Sequence, residues 1–474
     1  MPDDHFLSAP LVGAEAQGGA ESQGGAGAQG GGEGATSAPS GGGGDVSSPV
    51  LPCQKGPPEK KPLRVRLSLF FDGTRNNRFN VGLGPGPGVR KEESYANGLS
   101  NIARLEYAGL GGQTGPGVDV HLTVYTEGIG TEDGGSDSAR GFALGSGKTG
   151  VAAKVERGIA KAVADLQVLA KECKQIELLH IDTLGFSRGA AAARYCIWKC
   201  MQEVNLTLKE RVEAFLITVG EVSVKFVGLY DTVASLGINH DTDTEELHLD
   251  AISLAEDVVQ LAAAEEHRVK FRLTNINSAQ GKGKQFFLPG VHSDVGGGYA
   301  EPDNEKDWEV FDLNLLQLGA TARGALEREH QWLIAAGWYR REELSPTNVR
   351  YIKANRSGIK STYSHIPLRI MAKFAREHGV PISGQLESRY EIPEALSEAA
   401  AAIQSYMDSV GNSSKPGDWF KTNPALDPQW HRDMRHDYLH FSSRYNGTVI
   451  SPHAPQWSEA GPLKGHRERI IQDG

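Results

Sequence analysis

The sequence has 474 residues, with 49 basic and 59 acidic side chains and a formal net charge of −10 at pH 7. This charge argues against a nucleic-acid-binding protein and against electrostatic capture by an anionic membrane surface. The length predicts two or three structural units, and the four cysteines are too few for a disulfide-stapled fold.

The first stretch of the chain, residues 1–62, is rich in Gly, Ala, Ser and Gln and poor in large apolar side chains. It cannot bury enough apolar surface to offset its conformational entropy, so we expect a disordered, glycine-rich tether. It is either a plain disordered tail or a linker to a delivery partner. Residues 1–4 carry neither a basic nor an apolar signal segment, which predicts synthesis in the cytoplasm without a signal peptide.

Strand and helix patterns alternate through residues 63–305. Alternating apolar side chains begin at Val65, and comparable apolar runs precede Ser187 and Asp231. This alternation predicts an α/β fold, with an α/β-hydrolase-like, mainly parallel sheet and helices on both faces of a catalytic core. The predicted strands are 65–71, 120–125, 179–186, 222–230 and 286–288, and the predicted helices are 95–107, 151–172, 188–204 and 247–265.

The pattern changes in residues 306–474, where helices are predicted at 311–335 and 367–378. No clear strand alternation occurs in this part before residues 438–441. We therefore expect a mostly helical accessory region that packs against the sheet.

The most informative stretch is Gly-Phe-Ser-Arg-Gly, in which Gly185 and Gly189 flank Ser187. An apolar strand pattern precedes it and an Ala-rich helical pattern follows, which is the context of a nucleophile elbow. An ordinary strand-to-helix turn is the alternative. In an elbow, Ser187 would be the nucleophile and the Arg188 N–H would point at the oxyanion.

A serine nucleophile needs a histidine base and an orienting carboxylate. Asp231 and His292 follow Ser187 in the chain order of α/β-hydrolases, and each comes directly after a predicted strand. The alternatives are that Asp231 caps a helix and that His292 caps loop amides. His440 is a competing base.

The loop after the first strand supplies candidates for the second oxyanion donor, namely the backbone N–H of Gly73 or Thr74. Asp72 and Asp294 are candidates for supporting positions beside the site. Their carboxylates would also suit a calcium or magnesium ion, but two acids from distant loops are weak support. We therefore expect no metal and no other cofactor, with calcium as the less favoured alternative.

Four ordered blocks together resemble the DUF2235 family of α/β-hydrolases, and within it the Tle1-like phospholipase effectors of the type VI secretion system. The blocks are residues 71–76, 185–190, 228–233 and 289–299. The resemblance maps the family's triad onto Ser187, Asp231 and His292. It also implies that the accessory region serves as a membrane-facing lid.

The same resemblance implies hydrolysis of glycerophospholipid acyl esters, a phospholipase A-type reaction, in the membrane of a rival cell. The implied partners are a secretion spike protein and a cognate immunity protein, and the implied destination is the target-cell periplasm. Two other functions remain open at this point. They are a soluble carboxylesterase acting on small esters and a catalytically silent binding module.

Overall fold

A computed structural model describes residues 61–83, 93–138, 147–234, 244–312, 320–346, 350–412, 415, 418–419, 429–442, 444–446 and 469–474. Compactness divides the chain into the units Met1–Pro58 and Glu59–Gly474. Residues 1–60 of the predicted tether lie outside the described residues. The second unit contains both the predicted core and the predicted accessory region.

The centre of this unit is a six-stranded sheet in the order β2-β1-β3-β4-β5-β7. All of its neighbouring strands pair in parallel. Parallel pairing brings the carboxyl ends of all six strands to one edge of the sheet, where ligands bind in such folds. The strands are β1 (Leu63–Phe71), β2 (Val120–Thr126), β3 (Gln175–Phe186), β4 (Thr218–Tyr230), β5 (Ala255–Ala263) and β7 (Gly283–Leu288).

Helices cover both faces of the sheet. The helices before residue 300 are α1 (Arg78–Leu83), α2 (Glu93–Ala96), α3 (Asn101–Leu110), α4 (Val151–Leu169), α5 (Arg188–Met201), α6 (Leu208–Glu213) and α7 (His292–Gly296), and α9 (His365–Glu377) belongs to the accessory region. On one face of the sheet, Val65, Leu67 and Leu69 pack with α4, α5 and α6 in one apolar cluster. On the other face, Phe70 packs with α3, with α9 and with other side chains of the accessory region in a second cluster. The predicted α/β fold is thus confirmed.

The helix predicted at 247–265 is wrong. A short 3-10 helix, Leu249–Leu254, leads into the strand β5. This strand lies between β4 and β7, and its six residues from 258 to 263 are all buried, so polar and apolar side chains do not alternate along it. A buried stretch without alternation cannot be distinguished from a buried helix by periodicity alone.

The accessory region contains a sheet that the sequence analysis did not predict. This antiparallel sheet has the order β8-β10-β9, with β8 at Asp303–Asp312, β9 at Leu344–Pro346 and β10 at Tyr351–Ile359. Residues 311–312 belong to β8, and the helix predicted from 311 is observed at Ala320–Ala335. The strand pattern at 438–441 does not form a strand, because Tyr438 ends a helix and residues 439–441 are irregular. The remaining helices are α8 (Ala320–Ala335), α10 (Leu386–Arg389), α11 (Ser397–Val410) and α12 (Gln429–Tyr438).

The accessory region is not a separate body, because its side chains share an apolar cluster with the sheet. Phe286 of β7 belongs to the same cluster as Trp338 and Tyr406. A boundary at residue 305 therefore separates two sequence patterns within one packed unit. Among the residues that the structure describes, no helix is both long and apolar enough to cross a membrane.

A third sheet, of two strands, lies beside the carboxyl end of β4. It pairs β6 (Leu273–Thr274) in parallel with β11 (Ile471–Gln472). The Thr274 N–H donates to the Thr232 carbonyl at 2.9 Å. This contact places the two-stranded sheet directly next to the residue that follows Asp231.

Candidate active site

Ser187 lies at the sharp turn between β3 and α5. Its backbone has φ of 61° and ψ of −129°, a left-handed conformation that is strained for a residue with a side chain. A methyl group at Gly185 would lie 2.6 Å from the Ala190 Cα, so only glycine lets strand and helix approach this closely. These features are those of a nucleophile elbow.

The elbow packs directly on the end of β1. A methyl group at Gly189 would lie 2.8 Å from the Asp72 carbonyl carbon. The Arg188 Nε donates to Thr74 Oγ1 at 2.9 Å, which ties the start of α5 to the loop after β1. The structure thus brings together the residues predicted to supply the two oxyanion donors, Arg188 and Thr74.

Asp72 is buried at the end of β1 and holds that loop in place. Its carboxylate accepts hydrogen bonds from Ser100 Oγ and Tyr125 Oη, each at 2.5 Å, and from the Gly73 N–H at 2.7 Å. Burial raises the pKa of Asp72, although these three donors oppose the shift. Because the Gly73 N–H is engaged by Asp72, Thr74 is the better placed of the two predicted loop donors.

Asp231 and His292 form a buried pair across the carboxyl ends of β4 and β7. His292 Nδ1 lies 2.6 Å from Asp231 Oδ2, and the Ala263 N–H donates to Asp231 Oδ1 at 2.9 Å. Asp231 itself has φ of 41° and follows a strand, so it does not cap a helix. The His292 ring lies 4.6 Å, centroid to centroid, from the ring of Phe186, which directly precedes Ser187.

The protonation of this pair follows from its surroundings. Burial would raise the pKa of Asp231, but Arg469 and His292 bring it below its usual value. Burial lowers the pKa of His292, and the Asp231 carboxylate opposes that shift. Among the described residues, the buried His292 Nε2 has no hydrogen-bond partner. A neutral His292 with Nδ1–H directed at Asp231 therefore leaves Nε2 available to accept a proton.

Three residues after β5 surround His292, and the sequence analysis did not select any of them. The Phe271 ring meets the His292 ring edge-on at 4.9 Å. The Glu266 carboxylate accepts from Arg268 Nη2 at 2.8 Å and from the His292 N–H at 3.3 Å. Although burial opposes it, Arg268 keeps the pKa of Glu266 far below its usual range. This stretch follows β5, a strand that the sequence pattern did not reveal.

Arg469 is a further residue of the site that sequence reasoning missed. Its Nη2 lies 3.1 Å from Oδ1 and 3.0 Å from Oδ2 of Asp231. Both side chains are fully buried. The two residues are 238 positions apart. Residues 469–472 resemble an ordinary short strand, so no sequence pattern indicates the contact.

His440, the competing base, is paired with a different carboxylate. Its Nδ1 lies 2.7 Å from Asp294 Oδ1, and its ring stacks on Tyr299 at a centroid separation of 3.6 Å. Asp294 Oδ2 also accepts from the Val291 N–H at 3.0 Å, which fixes the loop before His292. Among the described residues, two histidine–aspartate pairs are fully buried, and the one formed by His292 and Asp231 packs against Phe186.

Neither of the carboxylates considered for a cation stands open. Asp72 and Asp294 are each filled by donors from their own surroundings. Within the described ranges, no group of three or more His, Cys, Asp or Glu side chains is arranged to hold a metal ion.

A parallel sheet with a serine elbow and an adjoining histidine–aspartate pair is the architecture of α/β-hydrolase-like proteins. Residues 209–318 match the family model described as the catalytic domain of Tle1-like phospholipase effectors of the type VI secretion system (T6SS). This range includes Asp231 and His292. The match confirms the Tle1-like resemblance, and it spans two of the four sequence blocks, residues 228–233 and 289–299.

Two solved structures are similar to this chain. One is described as the Tle1 effector bound to the VgrG spike from the type 6 secretion system. It has 20% sequence identity and a TM-score of 0.58, and the match covers 81% of this chain and 85% of that one. The other is an uncharacterized protein from Pseudomonas aeruginosa, with 19% identity, a TM-score of 0.40 and coverage of 76% and 52%. A search of curated proteins finds no match. At this identity, the first similarity supports the fold.

Proposed function

We propose that this protein is a serine phospholipase that a type VI secretion system delivers as an antibacterial effector. The observation that carries the hydrolase part is the buried His292–Asp231 pair, 2.6 Å apart, packed against the residue before Ser187. The phospholipid substrate rests on the match of residues 209–318 to the Tle1-like catalytic domain. A fold alone would host many ester hydrolases.

In the first half of the proposed reaction, Ser187 Oγ attacks the acyl carbonyl carbon of the lipid. His292 Nε2 accepts the hydroxyl proton as the new C–O bond forms, and the resulting imidazolium is stabilised by the Asp231 carboxylate. The carbonyl oxygen becomes an oxyanion. The backbone N–H groups of Arg188 and Thr74 would donate to it, from the start of α5 and from the loop after β1.

The oxyanion then collapses and the ester C–O bond breaks. His292 returns its proton to the departing glycerol oxygen, which releases a lysophospholipid and leaves the acyl group on Ser187. Water then attacks this acyl-enzyme while His292 again accepts a proton. A fatty acid leaves and Ser187 regains its hydroxyl hydrogen. The net change is hydrolysis of one carboxylic ester, a phospholipase A-type reaction.

Delivery and partners are inferred from the similar effector structure. That effector is bound to the VgrG spike, and we infer that this chain also binds a spike protein and travels to the target-cell periplasm. An enzyme that degrades membrane phospholipid would also harm sister cells. We therefore infer that a cognate immunity protein inhibits it. No role for nucleic acid is proposed.

A second candidate, a carboxylesterase acting on small soluble esters, is favoured by one observation. In the described part of residues 306–474, the large apolar side chains are buried or partly buried, apart from Ile471, which is 38% exposed. A lid that enters a lipid interface would be expected to present several such side chains together.

The experiment that tests the proposal measures fatty-acid release from vesicles of a phospholipid with two different acyl chains. Mass spectrometry of the products identifies the ester bond that is cut. Ser187→Ala should lose at least about 10³-fold in rate, because it removes the nucleophile. Ser223→Ala, on the same sheet at the other end of β4, is the matched control and should keep the activity.

Labelling by a fluorophosphonate separates the alternatives. Wild-type protein that is labelled at Ser187 and cleaves short-chain esters but not vesicles would be a carboxylesterase. Wild-type protein that is neither labelled nor active would be a catalytically silent binding module, and the proposed function would be wrong.

A further inference from the structure

The segment 469–474 is held against the active-site edge of the sheet by backbone and side-chain contacts. The Leu273 N–H of β6 donates to the Ile470 carbonyl at 3.1 Å. The Asp473 carboxylate accepts from Asn275 Nδ2 at 2.8 Å. These contacts fix the register of β11 beside β6, so the position of the residue before Ile470 is determined by the fold.

That residue is Arg469, and its side chain reaches the Asp231 carboxylate. Both oxygens of Asp231 already have a donor, since Oδ1 accepts from the Ala263 N–H and Oδ2 from His292 Nδ1. Arg469 Nη2 bridges the same two oxygens at 3.1 and 3.0 Å. The carboxylate therefore receives donors only, which is an arrangement that suits its ionised form.

We propose that Arg469 is a positioning residue of the hydrolase, which keeps Asp231 ionised and fixed in the orientation that directs His292 Nε2 toward Ser187. The catalytic consequence of this inference rests on the proposed function. The electrostatic consequence does not, because the cation acts on the Asp231–His292 pair whether or not a substrate is turned over.

Arg469 acts on the proton affinity of the Asp231–His292 pair as a whole. The charged groups that face this pair are Arg469, Glu266 and Arg268. Glu266 is paired with Arg268, so these two charges largely offset each other at the pair. Arg469 is then the cation that sets whether the pair accepts an extra proton. Its positive charge disfavours that proton, so removing the charge should raise the apparent pKa of the pair.

The size of the effect follows from the distances. An arginine in contact with a carboxylate lowers the pKa of that carboxylate by about 1–3 units. In Arg469→Met, which keeps the apolar stem and loses the cation, the acidic limb of the pH–rate profile should therefore move up by about 1–3 pH units. In Arg469→Lys, which keeps the charge, the limb should stay within about half a unit of the wild type.

Two readouts make the test independent of the proposed substrate. One is the rate of fluorophosphonate labelling of Ser187 as a function of pH. The other is NMR of protein with ¹⁵N-labelled histidine, in which the His292 signal is identified by its loss in His292→Gln. Its titration should shift upward in Arg469→Met even if the protein hydrolyses no lipid. Arg469→Gln provides a second neutral variant if the methionine variant does not fold.

Arg194 offers the matched control for the loss of a buried arginine. Arg194 is fully buried and donates to the Asn275 carbonyl, directly after β6, at 2.9 Å. Its hydrogen bonds go to Leu249, Asn275 and Ser278, and not to Asp231. Arg194→Met should lower the melting temperature and leave the acidic limb in place. If Arg469→Met behaves like Arg194→Met, with a lower melting temperature and an unchanged His292 titration, Arg469 has only a structural role and the inference is overturned. A wild type that is inactive and unlabelled would instead overturn the proposed function.

Discussion

The closest approach between the elbow and the loop after β1 occurs at Gly189, and Gly189→Ala tests whether that approach matters for catalysis. A methyl group there would lie 2.8 Å from the Asp72 carbonyl carbon and closer still to the carbonyl oxygens of Phe71 and Asp72. Two carbons in contact are normally about 3.5–4.0 Å apart. Backbone atoms of either α5 or the loop must therefore move by about 0.7–1.2 Å, because no flexible side chain is present to yield.

The displacement acts on stability and on rate by different amounts. Overpacking of this kind costs about 1–3 kcal/mol of folding free energy, which the unit can tolerate. The same shift separates the Arg188 N–H from the Thr74 N–H, the two donors proposed for the oxyanion. A misplacement of about 1 Å in such a site lowers the rate by about 10²-fold. We therefore expect kcat to fall by about 10²-fold while KM changes little, because the oxyanion exists only after the substrate is bound.

The assay is steady-state hydrolysis of a soluble short-chain ester, with the melting temperature measured on the same samples. Gly82→Ala is the control, because Gly82 lies in α1 and a methyl group there meets no atom within 4 Å. It should stabilise the helix by about 0.5 kcal/mol and leave kcat unchanged. The reasoning would be refuted if Gly189→Ala retained wild-type kcat, since the methyl group would then have been accommodated without moving either donor.

Three further outcomes are expected. His292→Gln should lower the hydrolysis rate by at least about 10³-fold, whereas His440→Gln should stay within about tenfold of the wild type; the opposite ranking in an ester assay would make His440 the base. Asp231→Asn and Arg469→Met should each destabilise the fold by about 3 kcal/mol, because each leaves the buried charge of the other residue unpaired. The double variant leaves neither charge unpaired, so its loss of stability should be clearly less than the sum of the two; additive melting data would contradict this. Burial lowers the pKa of His121 to about 4 from 6.5, so the unfolded chain binds the proton first and stability should fall as the pH drops through this window. His121→Gln should remove about 2 kcal/mol of that loss, measured as the change in unfolding free energy between pH 7 and pH 4.

The positions of the three proposed catalytic residues were predictable because each one ends a strand. In a parallel sheet, carboxyl ends meet at one edge, so Ser187, Asp231 and His292 had to lie near one another once their strands were recognised. The chain order of the three residues added a second constraint. Their pairing could be argued only in part, since two candidate bases, His292 and His440, follow Asp231 and periodicity does not say which one contacts it.

The contact of Arg469 with Asp231 and the strand β5 could not be predicted from the sequence. The contact of Arg469 with Asp231 depends on β11 docking beside β6, a parallel pairing of two very short strands separated by most of the second half of the chain. No local pattern encodes such a contact. The strand β5 was missed for a different reason, because its six consecutive buried residues, 258–263, lack the polar–apolar alternation by which a strand is recognised.

The separate contacts around His292 act together through their charges. Two carboxylates, Asp231 and Glu266, and two guanidinium groups, Arg268 and Arg469, form one network, in which Arg268 is partly exposed and the other three are buried. Their charges offset each other while His292 is neutral, so the resting site carries little unbalanced charge. When His292 takes a proton from Ser187, one positive charge appears in a buried place where Coulomb interactions are strong. His292 Nδ1 lies 2.6 Å from Asp231 Oδ2, so attraction to this carboxylate is the largest interaction of the new charge. The network thus stabilises the imidazolium of the transition state more than the neutral ring of the ground state, which is the difference that accelerates a reaction.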